Sequence, residues 1–151
     1  MGTRSLTRII PRQEGLSFNE GHEHTELSCV NMYRHSDGAP HGHGLDLAEF
    51  LKDFKIINGI GGDAELGTHA NGSGCLAAQM IKYFKEDVGH ISLFTMDDER
   101  GWEDYIYTIY PKAGEPCYIS IFSVFEGKQG RCIFVGTALE LIEKYTPKNH
   151  R

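Results

Sequence analysis

The sequence lacks any apolar run approaching the roughly 20 residues that a membrane-spanning helix needs. Its first ten residues, MGTRSLTRII, also lack the apolar core of a secretory signal. These absences exclude a membrane partner and favour a protein that works in the cytoplasm.

Closely spaced cysteines and an excess of positive charge are also missing. The four cysteines form no C-x-x-C pair, so a zinc ribbon is excluded and reduced thiols are expected. Lys and Arg number 15 against 21 Asp and Glu, giving a formal net charge of −6. Such a chain lacks the basic face that a nucleic acid polymer requires, but a small anion could still bind in a locally positive pocket. The residues suggest no cofactor.

The composition and length of the chain indicate one folded domain, residues 1–151. Hydrophobic residues make up 40% and charged residues 24%, which is typical of a globular domain. Alternating apolar residues predict strands at 5–11, 26–35, 90–96, 104–110, 117–125 and 131–137, the last four as a meander. Helical spacing predicts helices at 45–54, 75–87 and 137–145. We therefore expect an α+β fold with an antiparallel sheet of about five to six strands and two to three helices packed on one face.

The first candidate site is the stretch YRHSDGAPHGHG, residues 33–44. His41 and His43 alternate, so on an extended segment both imidazoles would face one metal ion; His35 and Asp37 could complete that site, and His22 with His24 forms a second pair. The competing interpretation is a solvated polar loop, and we predict no metal.

Arg34 gives the same stretch a ligand-binding character. Its guanidinium suits a phosphate or carboxylate, and the Tyr33 ring could stack on a base. Alternatively, Arg34 could form an ordinary surface ion pair with Asp37 or Asp46. We predict that Tyr33, Arg34, His35, Asp37, His41 and His43 form one wall of a ligand site.

Glycine-rich turns offer the second wall. Asn71, Gly72, Ser73 and Gly74 precede a predicted helix, whose free backbone N–H groups favour an anion, and Asn58 opens another such turn. The same residues also make an ordinary helix cap with Ser73 as N-cap. No G-K-[ST] follows, so a P-loop is excluded.

Four segments together resemble a family of small phage and bacterial proteins of uncharacterised function: MGTRS, MYRHSDGAPHGHGLDLAEFL, INGI and ANGSGCLAAQMI. Members usually carry an aromatic residue where this chain has Ser36 and Ala39, so stacking is not expected there. By association, the resemblance implies a protein of the host cytoplasm that sequesters a nucleotide signal of bacterial immunity.

Three functions follow from these observations. The first is a non-catalytic protein that sequesters a small phosphorylated or nucleotide ligand, and that forms a homo-oligomer because a meander leaves an edge strand open. The second is a histidine-dependent hydrolase or lyase acting on a nucleotide. The third is an inhibitor that binds a host protein.

Overall fold

The computed structural model describes residues 2–12, 27–59, 64–96, 103–125 and 128–147, apart from the side chains of 125, 128 and 129. Eight strands and three α-helices lie in these ranges. The strands are β1 Ser5–Ile9, β2 Asn31–Arg34, β3 Lys55–Ile57, β4 His69–Asn71, β5 Ile91–Leu93, β6 Tyr105–Lys112, β7 Glu115–Phe125 and β8 Lys128–Thr137. The helices are α1 Leu45–Leu51, α2 Gly72–Phe84 and α3 Ala138–Tyr145, with a π-helical turn, Pro40–Gly44, directly before α1.

Six strands form one sheet in the order β5-β2-β1-β6-β7-β8, so the predicted α+β fold is confirmed. The sheet is mostly antiparallel, but β1 and β6 run parallel, which makes it mixed. The predicted four-stranded meander is wrong in one member. β5 leaves it and pairs with β2 at the far edge of the sheet, so only β6, β7 and β8 form a meander.

The helices pack on one face of the sheet, as predicted. The main hydrophobic cluster takes alternate residues of β6, namely Tyr107 and Ile109, together with Leu47 of α1 and Leu141 of α3, all fully buried. Alternate residues of a strand point to the same face, so this face meets the helices. Ile106 of the opposite face is also buried, but it lies outside the cluster.

β3 and β4 form a separate parallel pair that the sequence pattern did not predict. Each has three residues, which is too short for an alternation to be recognised. The pair places Ile57 beside Asn71 at the start of α2. It thereby brings the two glycine-rich turns of the sequence together.

Helix α2 begins at Gly72, three residues before the predicted start. Gly72 has φ +80°, a left-handed conformation that glycine adopts without steric cost. Asn71 is therefore the residue that precedes the helix, and Ser73 lies inside the first turn and is not the N-cap. The Asn71 carboxamide accepts a hydrogen bond from the Gly59 N–H at 2.8 Å, which ties the two turns to each other.

Candidate functional site

The histidine stretch is a folded turn, which contradicts the extended geometry that a metal pair would need. Residues 40–44 are π-helical, so His41 and His43 point in different directions: His41 is exposed and His43 is fully buried. Within the described ranges, no three His, Cys, Asp or Glu side chains come together as metal ligands. His22 and His24 lie outside the described residues.

Close backbone packing explains two of the glycines in this turn. A Cβ on Gly38 would lie 2.9 Å from the backbone of Thr3 and Arg4, and one on Gly42 would lie 2.6 Å from the Asp37 carbonyl oxygen. Asp37 itself has φ +59°, and its carbonyl accepts the His43 N–H at 2.7 Å. The turn is thus built tightly against β1, which gives its side chains fixed positions.

His43 sits under the turn as a neutral imidazole. Its Nδ1 lies 3.0 Å from Nη1 of Arg34, which can only donate, so Nδ1 is the acceptor and Nε2 carries the proton. Nε2 then donates to the Thr7 hydroxyl at 2.7 Å. Burial, aided by the nearby charges of Arg34 and His90, lowers the pKa of His43 to about 3. This histidine stays uncharged at neutral pH.

Arg34 is 8% exposed and is held from several sides. Its Nε donates to the Ser36 carbonyl at 2.9 Å, and its Nη1 donates to His43 Nδ1 and to Asp46 Oδ2, the latter at 3.1 Å. The Phe84 ring lies below the guanidinium, 5.9 Å from Cζ to the ring centroid. The sequence offered Asp37 or Asp46 as a surface partner of Arg34. The ion pair with Asp46 forms, but Arg34 is buried and not on the surface.

Nη2 is the guanidinium nitrogen left over. Among the described residues, none accepts a hydrogen bond from it. Because Nε and Nη1 are occupied by protein acceptors, Nη2 is available to a ligand in the cleft that Arg34 lines.

This cleft has a volume of about 590 Å³ and is called the Arg34 cleft below. Three parts of the chain border it: the end of β2, helix α1, and the end of α2 together with the loop that follows α2. It is lined by Arg34, Asp46, Tyr83, Phe84, Glu86, Asp87 and His90. One arginine and one histidine thus face three carboxylates and two aromatic rings.

Tyr33 and His35 line an open depression beside the Arg34 cleft. Asp87 and His90 line both the depression and the cleft. The Tyr33 ring is already stacked on Phe94, with centroids 4.8 Å apart and an interplanar angle of 11°. Its hydroxyl lies 3.1 Å from His35 Nδ1. Phe94 thus covers one face of the Tyr33 ring. Tyr83 in the Arg34 cleft is 48% exposed, and its ring centroid lies 4.9 Å from that of Phe50 and 5.0 Å from that of Phe84.

The two predicted walls do not meet. Asn58, Asn71, Gly72, Ser73 and Gly74 gather at the start of α2, whereas the Arg34 cleft lies at its end. A helix of 13 residues spans about 20 Å. The predicted site residues therefore form two groups, and Arg34 is the predicted residue that lines the cleft, while Tyr33 and His35 line the neighbouring depression.

Sequence reasoning missed five lining residues of the cleft: Tyr83, Phe84, Glu86, Asp87 and His90. His90 comes close because β5 pairs with β2, where the His35 N–H donates to the His90 carbonyl at 3.0 Å. A usable signal existed in the aromatic pair and acidic pair that end the second helical segment, YFKED. Asp46 was identified from the sequence, but as a surface partner.

Comparisons of the chain with known protein families, with curated proteins and with solved structures give no match. The family resemblance of the four sequence segments therefore stays a prediction. Among the described residues, no helix has the length and apolar character to cross a membrane.

Proposed function

We propose that the protein binds a small ligand of the nucleotide class in the Arg34 cleft and holds it without transforming it. The observation that carries the proposal is the buried Arg34, which is fixed by Ser36, His43 and Asp46 and keeps one donor nitrogen, Nη2, that no described residue engages. A volume of about 590 Å³ is typical of small-molecule sites.

The fixed guanidinium supports binding because its ordering has already taken place in the folded protein. A mobile arginine side chain would lose rotamer entropy on binding, about 0.5–1.5 kcal/mol for a side chain of this kind. Arg34 is oriented by its bonds to the protein, so Nη2 can donate to an oxygen of the ligand without that loss.

The aromatic residues of the cleft support a flat ligand. Tyr83 is half exposed, and its ring stands edge-on to that of Phe84, with centroids 5.0 Å apart. A planar heterocycle on such a ring gains roughly 1–3 kcal/mol by stacking. An arginine next to an open aromatic ring suits a nucleobase attached to a polar or phosphorylated group.

The state of His43 supports sequestration over turnover. A general acid or base needs access to the reacting group and a pKa near the working pH. His43 is fully buried with both ring nitrogens bonded, and its pKa is about 3. An enzyme built on His41 and His43 would lack one of its two catalytic groups.

The biological setting remains part of the proposal. The family resemblance suggests that the ligand is a nucleotide signal of bacterial immunity, which the protein would remove from solution in the host cytoplasm. The proposal includes a homo-oligomer, for which β8 is the longer of the two edge strands, β5 and β8, in the sheet that the described residues form.

The test is one incubation of the purified protein with cyclic dinucleotides, cyclic ADP-ribose isomers and ordinary nucleotides. The protein is filtered out, the free pool is analysed, and the retained protein is heated to release what it holds. We expect one ligand to vanish and to return unchanged on heating. A new product would instead make the protein an enzyme, and depletion of nothing would favour a host protein as partner.

Arg34→Gln should weaken retention of that ligand at least ten-fold, because the variant loses the charge that faces it. Arg131→Gln is the matched control, since Arg131 lies exposed on β8 and away from the cleft. Thermal unfolding of both variants separates lost binding from lost folding. Retention that survives in a folded Arg34→Gln protein would contradict the assignment of Arg34.

A further inference from the structure

The Arg34 cleft is acidic around its arginine, which restricts what it can hold. Asp46, Glu86 and Asp87 all line it, against one guanidinium and one imidazole. Asp46 has a side chain 54% exposed, so its carboxylate reaches solvent while also bonded to Arg34. Like charges repel, so a group of several phosphates would meet three carboxylates for one arginine.

The arginine shows that this is more than a cluster of acids. Arg34 is more than nine-tenths buried, lines the cleft and keeps Nη2 without an acceptor among the described residues. The cleft therefore offers one fixed donor beside several acceptors. The complementary ligand presents one acceptor flanked by several N–H donors.

We propose that the Arg34 cleft recognises the base of its ligand, and that this base is guanine. This inference rests on the proposed function. The Watson–Crick edge of guanine carries one acceptor, O6, and the donors N1–H and N2–H₂. Nη2 of Arg34 donates to O6, and the carboxylate of Asp46 accepts from N1–H and N2–H₂. The ring stacks on Tyr83.

The other bases match this arrangement less well. Adenine offers one amino group beside an acceptor, and cytosine and uracil each offer two acceptors with one donor group on the pairing edge. Each of them would offer Asp46 one donor group where guanine offers two, which costs binding energy. Guanine leaves the fewest acceptors unpaired.

The experiment measures Kd by calorimetry for guanosine, inosine, adenosine, guanosine monophosphate and guanosine triphosphate. Guanosine should bind at least ten-fold more tightly than inosine, which lacks only the 2-amino group, and than adenosine. The triphosphate should bind more weakly than the monophosphate, because added phosphates meet the acidic residues.

Two variants test the role of the carboxylate. Asp46→Asn should weaken guanosine binding at least ten-fold and should weaken triphosphate binding by a smaller factor, since the variant loses the base contact but also one repelling charge. Asp53→Asn is the matched control because Asp53 follows α1 on the surface and does not line this cleft. Asp53→Asn should leave every affinity at the parent value.

Two results would overturn the inference, and they can be told apart. If guanosine and inosine bind equally, or if affinity rises with each phosphate, the base is not what the cleft recognises, although a nucleotide-binding protein remains. If no nucleoside or nucleotide binds at all, the proposed function fails and the base assignment falls with it.

Discussion

At the scale of single residues, the glycines of this chain divide into two kinds that the sequence cannot tell apart. Gly38 and Gly42 are needed because neighbouring backbone occupies the place of a Cβ. Gly74 lies in the first turn of α2, and outside the backbone of that helix none of the described residues comes within 4 Å of its Cβ position. Glycine is thus required at Gly38 and Gly42 by close packing and at Gly72 by its left-handed backbone, whereas Gly74 in the same motif has no such requirement.

This difference predicts opposite effects of the same substitution. Gly42→Ala should destabilise the protein by about 1–3 kcal/mol, because the new methyl would lie 2.6 Å from a backbone oxygen that must move. Gly74→Ala should stabilise it by up to about 1 kcal/mol, since alanine favours the helix. Urea unfolding midpoints measure both.

Gly74→Ala has a second use, because it alters the motif that resembles an anion-binding helix start. If ligand retention in this variant equals that of the parent, the glycines there serve the fold alone. A marked loss of retention together with a higher unfolding midpoint would return the start of α2 to the ligand site.

At the scale of elements, the pairing of β5 decides where the candidate site lies. β5 has three residues, and its neighbours in the sequence suggested that it would join the meander. Its hydrogen bonds to β2 instead place the loop after α2 beside Arg34. Local patterns predict that a strand exists, but its partner depends on long-range packing that no window of sequence contains.

The final helix shows the opposite case, in which a local pattern was sufficient. Thr137 and Glu140 have the T-x-x-E spacing that is typical of a capping box, and the structure contains this box at the start of α3. The Glu140 N–H donates to Thr137 Oγ1 at 3.3 Å, and the Thr137 N–H donates to Glu140 Oε1 at 2.9 Å. Both partners lie within one turn, so the sequence spacing alone fixes the contact.

Thr137→Ala should therefore cost about 1 kcal/mol of unfolding free energy, because the first turn of α3 loses its cap. Thr146→Ala is the matched control at the other end of the helix, where only the backbone N–H of Thr146 bonds to the helix among the described contacts. We expect urea denaturation to give a near-parental midpoint for the control. Equal midpoints for the two variants would contradict the role of the cap.

At the scale of the whole molecule, the same distinction separates what the sequence could predict from what it could not. Periodicity predicted the α+β class and most strand and helix positions, because burial of one face follows a local repeat. Arg34 was identified by its chemistry. Its burial and the cleft partners Tyr83 and His90 depend on segments about fifty residues away in the chain.

Burial of a neutral imidazole also makes the stability of the whole molecule depend on pH. The pKa of His43 falls from an ordinary 6.5 to about 3 in the folded state. The unfolded chain therefore binds a proton between these values that the folded chain excludes. The contribution of His43 to stability is complete above pH 6.5 and is lost as the pH falls toward 3.

We predict that His43 makes the free energy of unfolding rise by roughly 1.4 kcal/mol per pH unit between about pH 4 and 6. His43→Gln loses the buried contacts of the imidazole, so the variant should be less stable than the parent at pH 7. The variant also loses this titration, so the difference in unfolding free energy between the two proteins should narrow by about 2 kcal/mol at pH 5. Denaturant unfolding at each pH measures the gap. His41→Gln removes an exposed imidazole from the same turn and should keep the parental slope. A constant gap between His43→Gln and the parent would mean that His43 is not held neutral in the folded protein, so that Nδ1 would not accept the hydrogen bond from Arg34 Nη1.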